Sequence, residues 1–223
     1  MTRSKLTTMA AVAAILGGLT FMAIQPLHPG HTVEAVTTSA WAIVHYAELV
    51  MVLLFVTGIT GIYLAQVEKL GWLGFAGWVV LSLGVLVTGI GAAIEAFVQP
   101  VVASSAPAFV QGMMDMIEGH PLQTDLGAIP VLWTVASAFF LAGTFAFGAA
   151  NFRANILSRW ASAIFTAGLV VSLPLATLAG MPRLAALPIG FGLAWLGYSL
   201  LMHQRAPEVE PMPTGVVPEA GAA

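Results

Sequence analysis

The 223-residue chain contains no cysteine. Disulfides, thiolate nucleophiles, cysteine-ligated zinc and iron–sulfur clusters are thereby excluded. Charge is nearly as scarce, at 8% of residues, and a net charge of -3 with no basic cluster leaves nothing for a nucleic acid to bind. No phosphate-cradling loop is present either: "GVLVTGIGAAIE", Gly84 to Glu95, lacks Walker spacing and reads as close-packing glycine within an apolar run. What fills the chain is apolar, with 59% hydrophobic residues and a mean hydropathy of +0.93. That is a chain for lipid rather than water.

Charge and proline divide the apolar sequence into six expected transmembrane helices, at about 6–24, 40–67, 72–98, 131–150, 160–180 and 184–202. The fold class is therefore an all-α integral membrane protein, with residues 1–204 forming one six-helix domain. "FMAIQP" offers no small-x-small cleavage site after the first run, so that run reads as a retained span. Residues 205–223, rich in proline, glycine and alanine, read as a disordered cytoplasmic tail.

Orientation follows from the cations in the short connections. Arg3, Lys5, Lys69, Arg153, Arg159 and Arg205 fall on one side and only Arg183 on the other. Both termini are expected to be cytoplasmic, in a multi-pass protein of the plasma membrane. The bilayer is then the chain's first partner, and a second membrane protein or a second copy of this chain is the further partner to expect.

This orientation sorts the titratable groups. His28, His31 and Glu34 lie in the first outer loop, His45 and Glu48 in the outer half of the second span, and Glu95 near the outer end of the third. Asp115, Glu118, His120 and Asp125 lie in the second outer loop, whereas the last three spans carry no charge within the lipid. Four of the five histidines thus share one side. With Trp41 taken as an interfacial anchor, His45 lies about 6 Å and Glu48 about 10 Å further in. Glu95 is about 6 Å in from Gln99. The short link "EKLG" makes spans two and three adjacent and antiparallel, so His45, Glu48 and Glu95 are placed to meet. Gly58, Gly61, Gly74, Gly77, Gly84, Gly89 and Gly91 suggest that this pair packs closely as the core of the bundle.

A carboxylate in hydrocarbon costs at least ~2.5 kcal/mol, so Glu48 and Glu95 require a partner or a polar pocket. One imidazole with two carboxylates suits a divalent transition metal such as Zn, Mn, Fe or Ni, and His28, His31 or His120 are weaker candidates to complete the shell. The leading expectation is a metal ion or small ligand in an outer pocket between spans two and three. A second is an enzyme acting on a lipid or isoprenoid, with Glu48 as acid and His45 as its partner. A third is a structural or accessory subunit of a membrane complex. His45 alone lies within a span, so paired histidine ligands for a transmembrane haem are missing and any second ligand must come from a loop. In "GMMDMIEGH", Gly112 to His120, methionines beside histidine suit Cu(I), but Phe109, Met113, Met116 and Ile117 at helical spacing point instead to an interfacial amphipathic helix in the second outer loop.

Overall fold

A computed structural model describes residues 2–178 and 182–205 of the chain. Two residues of the expected fifth span, 179 and 180, and all but the first of the expected tail lie outside the described residues. The described residues are helical, with no strand: α1 (Arg3–Leu27), α2 (Ser39–Ala65), α3 (Val67–Ala93), a π-helical turn (Ile94–Val98), α4 (Gln99–Val102), α5 (Pro107–Glu118), α6 (Ile129–Ala154), α7 (Arg159–Leu178) and α8 (Leu187–Arg205). Short 3-10 turns cover Ala35–Thr37 and Pro182–Ala186.

Four helical stretches among the described residues are long and apolar enough to cross a membrane: Ser4–Leu27, Ser39–Ala65, Val67–Val102 and Ile129–Ala154. Backbone in hydrocarbon must satisfy its own hydrogen bonds, and long apolar helices do so. These four give the chain the character of a multi-pass helical membrane protein.

Local chemistry sets the helix boundaries. The Thr2 hydroxyl accepts from the Lys5 amide at the start of α1, and Thr38 accepts from the Trp41 amide at the start of α2. Proline stands in the first turn of α5 and α6, where a missing amide proton costs nothing. Gly119 ends α5 with φ 75, a left-handed conformation that glycine adopts without strain. The turn between α2 and α3 falls at Gln66 rather than within "EKLG". Val67–Leu70 form one helical turn, Gly71 leaves the helical region at φ 59 and ψ -163, and the regular helix resumes at Trp72.

The six long helices form a closed ring in which α1 contacts α2, α2 contacts α3, α3 contacts α6, α6 contacts α7, α7 contacts α8 and α8 returns to α1. The glycines show how tightly its members meet. Gly58 and Gly61 face Ala14 and Ala10 of α1, and a methyl at Gly77 or Gly84 would strike the backbone of α6 at Phe147 or Phe140. Gly91 faces the Trp133 ring, Gly74 faces Leu70 of its own helix, and among these seven only Gly89 turns toward the neighbouring span, against Val52. The expected α2–α3 core pair is therefore corrected: these helices are neighbours, but each presents its small residues to a different partner. Backbones approach only where both surfaces are small or flat, which holds for α1 against α2 and for α3 against α6.

Inside the ring, Phe21, Phe55 and Phe140 meet with centroids 6.1 to 6.3 Å apart. Ile59, Ile62, Phe147, Phe165, Leu193 and Leu196 are fully buried in the same core. The Gln66 amide donates to Asn151 Oδ1 at 2.7 Å, a buried polar tie between α2 and α6.

The upper end, where α1 finishes and α2 begins, is covered by α4, α5 and the first 3-10 turn. Val110, Met113 and Met114 of α5 are buried, and Val110 and Met114 pack in a cluster with Val36, Trp41 and Ala103. The buried stripe runs through 110, 113 and 114, whereas the sequence places the apolar face at 109, 113, 116 and 117. Packing on the protein has turned the helix. Met113 and Met114, two of the methionines in the Gly112–His120 segment, are thus core side chains, each 1% exposed.

Candidate metal centre

His45 and Glu48 stand one turn apart on α2, and Glu95 reaches them from the π-helical turn that continues α3. His45 Nε2 lies 3.5 Å from Glu95 Oε2 and 3.9 Å from Glu48 Oε2. One ligand atom from each of the three lies within 4.8 Å of the others. The rotational alignment that periodicity leaves open is therefore the one that brings all three side chains together.

The other face of the ring sets its tautomer. His45 Nδ1 lies 2.8 Å from the Trp41 carbonyl, one turn back on the same helix. A carbonyl only accepts, so Nδ1 carries the proton and Nε2 is left with a lone pair. His45 is 0% exposed, and Nε2 has no hydrogen-bond partner. A lone pair thus faces two carboxylates in a buried space, an arrangement that calls for a cation or a proton between them.

The π-helical turn contributes directly to this arrangement. The Gln99 amide bonds to Ile94 O rather than to Glu95 O. The released Glu95 carbonyl accepts from the Trp41 indole Nε1–H at 2.8 Å. Trp41 therefore binds the chain on both sides of the triad, through its carbonyl to His45 and through its indole to Glu95. It is wholly buried, which overturns its expected role as an interfacial anchor. Depth counted from Trp41 is consequently depth within the protein.

A second layer surrounds the triad. The His28 ring stands 5.0 Å from that of His45 and 5.1 Å from that of His31, centroid to centroid. His28 Nδ1 donates to the Pro29 carbonyl at 2.8 Å. Arg183, on the turn before α8, brings Nη2 to 3.0 Å from His31 Nε2, while His31 Nδ1 lies 3.2 Å from Glu118 Oε1. A neutral His31 satisfies both contacts, accepting from arginine and donating to glutamate. Arg183 Nη1 also donates to the His28 carbonyl at 3.2 Å. His120, with a side chain 60% exposed, pairs with Glu118 at 3.5 Å and stands apart from the triad.

Burial lowers the His28 pKa to about 4, with further depression by the Arg183 charge. Burial and Arg183 also lower that of His31, against the pull of Glu118. Burial draws the Arg183 guanidinium down as well, opposed by Glu118, Glu48 and Glu95. Both histidines are thus held neutral around a single arginine, and all three line a cavity of about 190 Å³ that also exposes Glu48 and Glu95.

Of the residues singled out in the sequence, the structure brings together His45, Glu48 and Glu95, places His28 and His31 beside them, and leaves His120 outside. Trp41 and Arg183 were missed. Arg183 carried a legible signal, because a lone cation on a side rich in carboxylates has an electrostatic reason to join them. Trp41 carried none beyond its spacing to His45.

Comparisons of the chain with protein-family models, with curated proteins and with solved structures found no match.

Proposed function

We propose that this protein binds a divalent transition metal through His45 Nε2 and the carboxylates of Glu48 and Glu95. The observation that carries this reading is the orphaned, buried Nε2 lone pair, 3.5 Å from one carboxylate and 3.9 Å from the other. Ligands about 2.1 Å from a tetrahedral ion stand roughly 3.4 Å from each other, so the spacing needs little adjustment. Two negative carboxylates and a dication sum to zero, which relieves the cost of carrying charge into the bilayer. The Nδ1–H to Trp41 bond supplies the outer support that a metal-bound imidazole usually has. Zn, Mn, Fe and Ni all suit one nitrogen and two oxygens. His31 is engaged at both ring nitrogens, and His28 packs on the His45 ring, so we assign both to the wall of the site.

We further infer six spans, with both termini in the cytoplasm and the triad toward the outer face of the plasma membrane. α7 and α8 complete the ring and, at 20 and 19 residues, have lengths suited to a bilayer. At the opposite end from the triad Lys69 and Arg153 line one cavity with the exposed Trp72, and Arg159, next to the exposed Trp160, lies over the Phe152 ring, as cytoplasmic cations and interfacial aromatics do. Arg183, the exception to that charge rule, is occupied by His31 and two carbonyls. On this topology α5 forms an outer cap over the site.

The test is metal uptake by purified protein in detergent, measured by equilibrium dialysis against Zn, Mn, Ni and Fe(II), with Glu48→Gln alongside. One ion per wild-type chain, lost in the variant, is expected. Equal uptake by the two proteins would refute the assignment.

A further inference from the structure

Beneath the polar cavity lies a second one of about 370 Å³, and the two share the walls Phe21, Met51, Val52, Thr88 and Trp133. The lower chamber adds Phe55, Val85, Ser137, Phe140 and Leu141, so that only the Thr88 and Ser137 hydroxyls and the Trp133 indole interrupt an apolar surface. The upper one carries Glu48, Glu95, His28, His31 and Arg183. The adjoining cavities form a volume with a charged end and a hydrocarbon-lined end, the latter reaching the protein surface at the exposed Ser137 and Leu141.

We propose that this volume holds a single-chain amphiphile with an oxyanion head, of the fatty-acid class. Its tail lies in the chamber between Phe21, Val85 and Phe140, and its head lies between the metal and Arg183. The inference rests on the metal reading, because without a cation Glu48 and Glu95 would repel such a head.

Three observations support this occupant. Size is the first: an apolar cavity of about 150 Å³ already takes up benzene, and the chamber is more than twice as large and falls in the range of small-molecule sites. Shape is the second: Phe55, Val85, Phe140 and Leu141 line the lower chamber alone, Phe21 and Trp133 stand where it meets the polar cavity, and the titratable groups line only the upper one. Charge is the third. A dication balanced by Glu48 and Glu95 leaves Arg183 as the positive group that lines the mouth, its charge partly offset by Glu118 behind His31, and both nearby histidines can stay neutral. A carboxylate head meets that charge and can fill an open metal position, whereas an ammonium head would face Arg183.

The experiment uses the full chain, delipidated in detergent and loaded with zinc, and counts bound palmitate or hexadecylamine by native mass spectrometry. Val85→Phe and Ser137→Phe fill the chamber without touching the triad, and the second, at an exposed position, guards against loss of folding in the first. Arg183→Gln removes the cation at the mouth. One palmitate per wild-type chain is expected, with affinity at least about tenfold weaker in the chamber-filling and arginine variants. Zinc uptake, measured separately by dialysis without amphiphile, should be the same in wild type and in the chamber-filling variants. Zinc uptake without palmitate binding, equal palmitate binding by all variants, or a preference for hexadecylamine would each overturn the amphiphile proposal while leaving the metal reading in place. Absence of zinc uptake overturns both.

Discussion

His45 Nε2 lies 3.5 Å from Glu95 Oε2, across the contact between α2 and the π-helical turn that continues α3. Neither group has a proton donor assigned to that gap: the imidazole proton is committed to Trp41, and Nε2 is without a partner. Binding a cation there would join two helices that otherwise touch mainly through apolar side chains. A ligand present at a hundred times its dissociation constant stabilises the native state by ~2.7 kcal/mol, or roughly 5–10 °C in Tm for a chain of this size. We expect a shift of that order for wild type with zinc in a thermal melt, and none for His45→Ala or Glu95→Gln. A shift retained by either variant would place the ion elsewhere.

Trp41 ties the triad together through two different atoms, and Trp41→Phe removes only one of them. The ring volume is largely kept and the carbonyl to His45 is untouched, but the Glu95 carbonyl loses its indole donor. An unsatisfied buried acceptor costs ~1–3 kcal/mol. The variant should melt lower and bind metal up to about tenfold more weakly. Unchanged melting and affinity would mean that the indole bond does not support the π-helical turn.

Close backbone approach makes a sharp prediction at Gly84. A Cβ there would collide with the backbone of Phe140 in α6, which cannot rotate away as a side chain can. Gly84→Val should cost at least about 1–3 kcal/mol, as overpacking does. At Gly30, by contrast, nothing lies within 4 Å of the added carbon and φ is not positive. Gly30→Ala should leave the melting temperature unchanged, and a comparable loss in both variants would rule out the α3–α6 contact as the cause.

The pH dependence of stability is governed in part by His28. Its pKa falls from 6.5 to about 4 on burial, so between those values the unfolded chain holds a proton that the folded chain does not. Stability therefore declines as pH falls through this window and is fully present above it. His45, His31 and Arg183 face His28 in wild type and remain in His28→Gln. Melting curves from pH 7.5 to 4 should fall more steeply for wild type than for this variant, and parallel curves would contradict the burial of a neutral ring.

How much of the site was legible can be followed residue by residue. The i, i+3 spacing put His45 and Glu48 on one face, and the short turn after Ala65 obliged Glu95 to return on a neighbouring helix. Whether Glu95 faced them depended on the π-helical turn at Ile94–Val98, which changes the angular register by a fraction of a turn and has no pattern in residue type. Trp41 was misjudged because an aromatic near a span end sits at a membrane interface in most proteins. Here α5 and the first 3-10 turn cover that end and bury the indole. The glycines were recognised as packing surfaces, but a small residue does not state which helix it will meet.

Composition and periodicity alone determined that the chain is helical and apolar, and that its acidic and imidazole groups gather in few places, because these follow from local backbone satisfaction and from the cost of charge in hydrocarbon. Tertiary structure decided which helices are partners, that α5 turns Met113 and Met114 inward, that Arg183 joins the layer around the triad from the far end of the chain, and that a hydrocarbon-lined chamber lies below it. Each of these depends on the rotation and pairing of helices whose surfaces are nearly uniform in hydrophobicity. In such helices hydrophobicity cannot select a partner, and the fit of small and large side chains does.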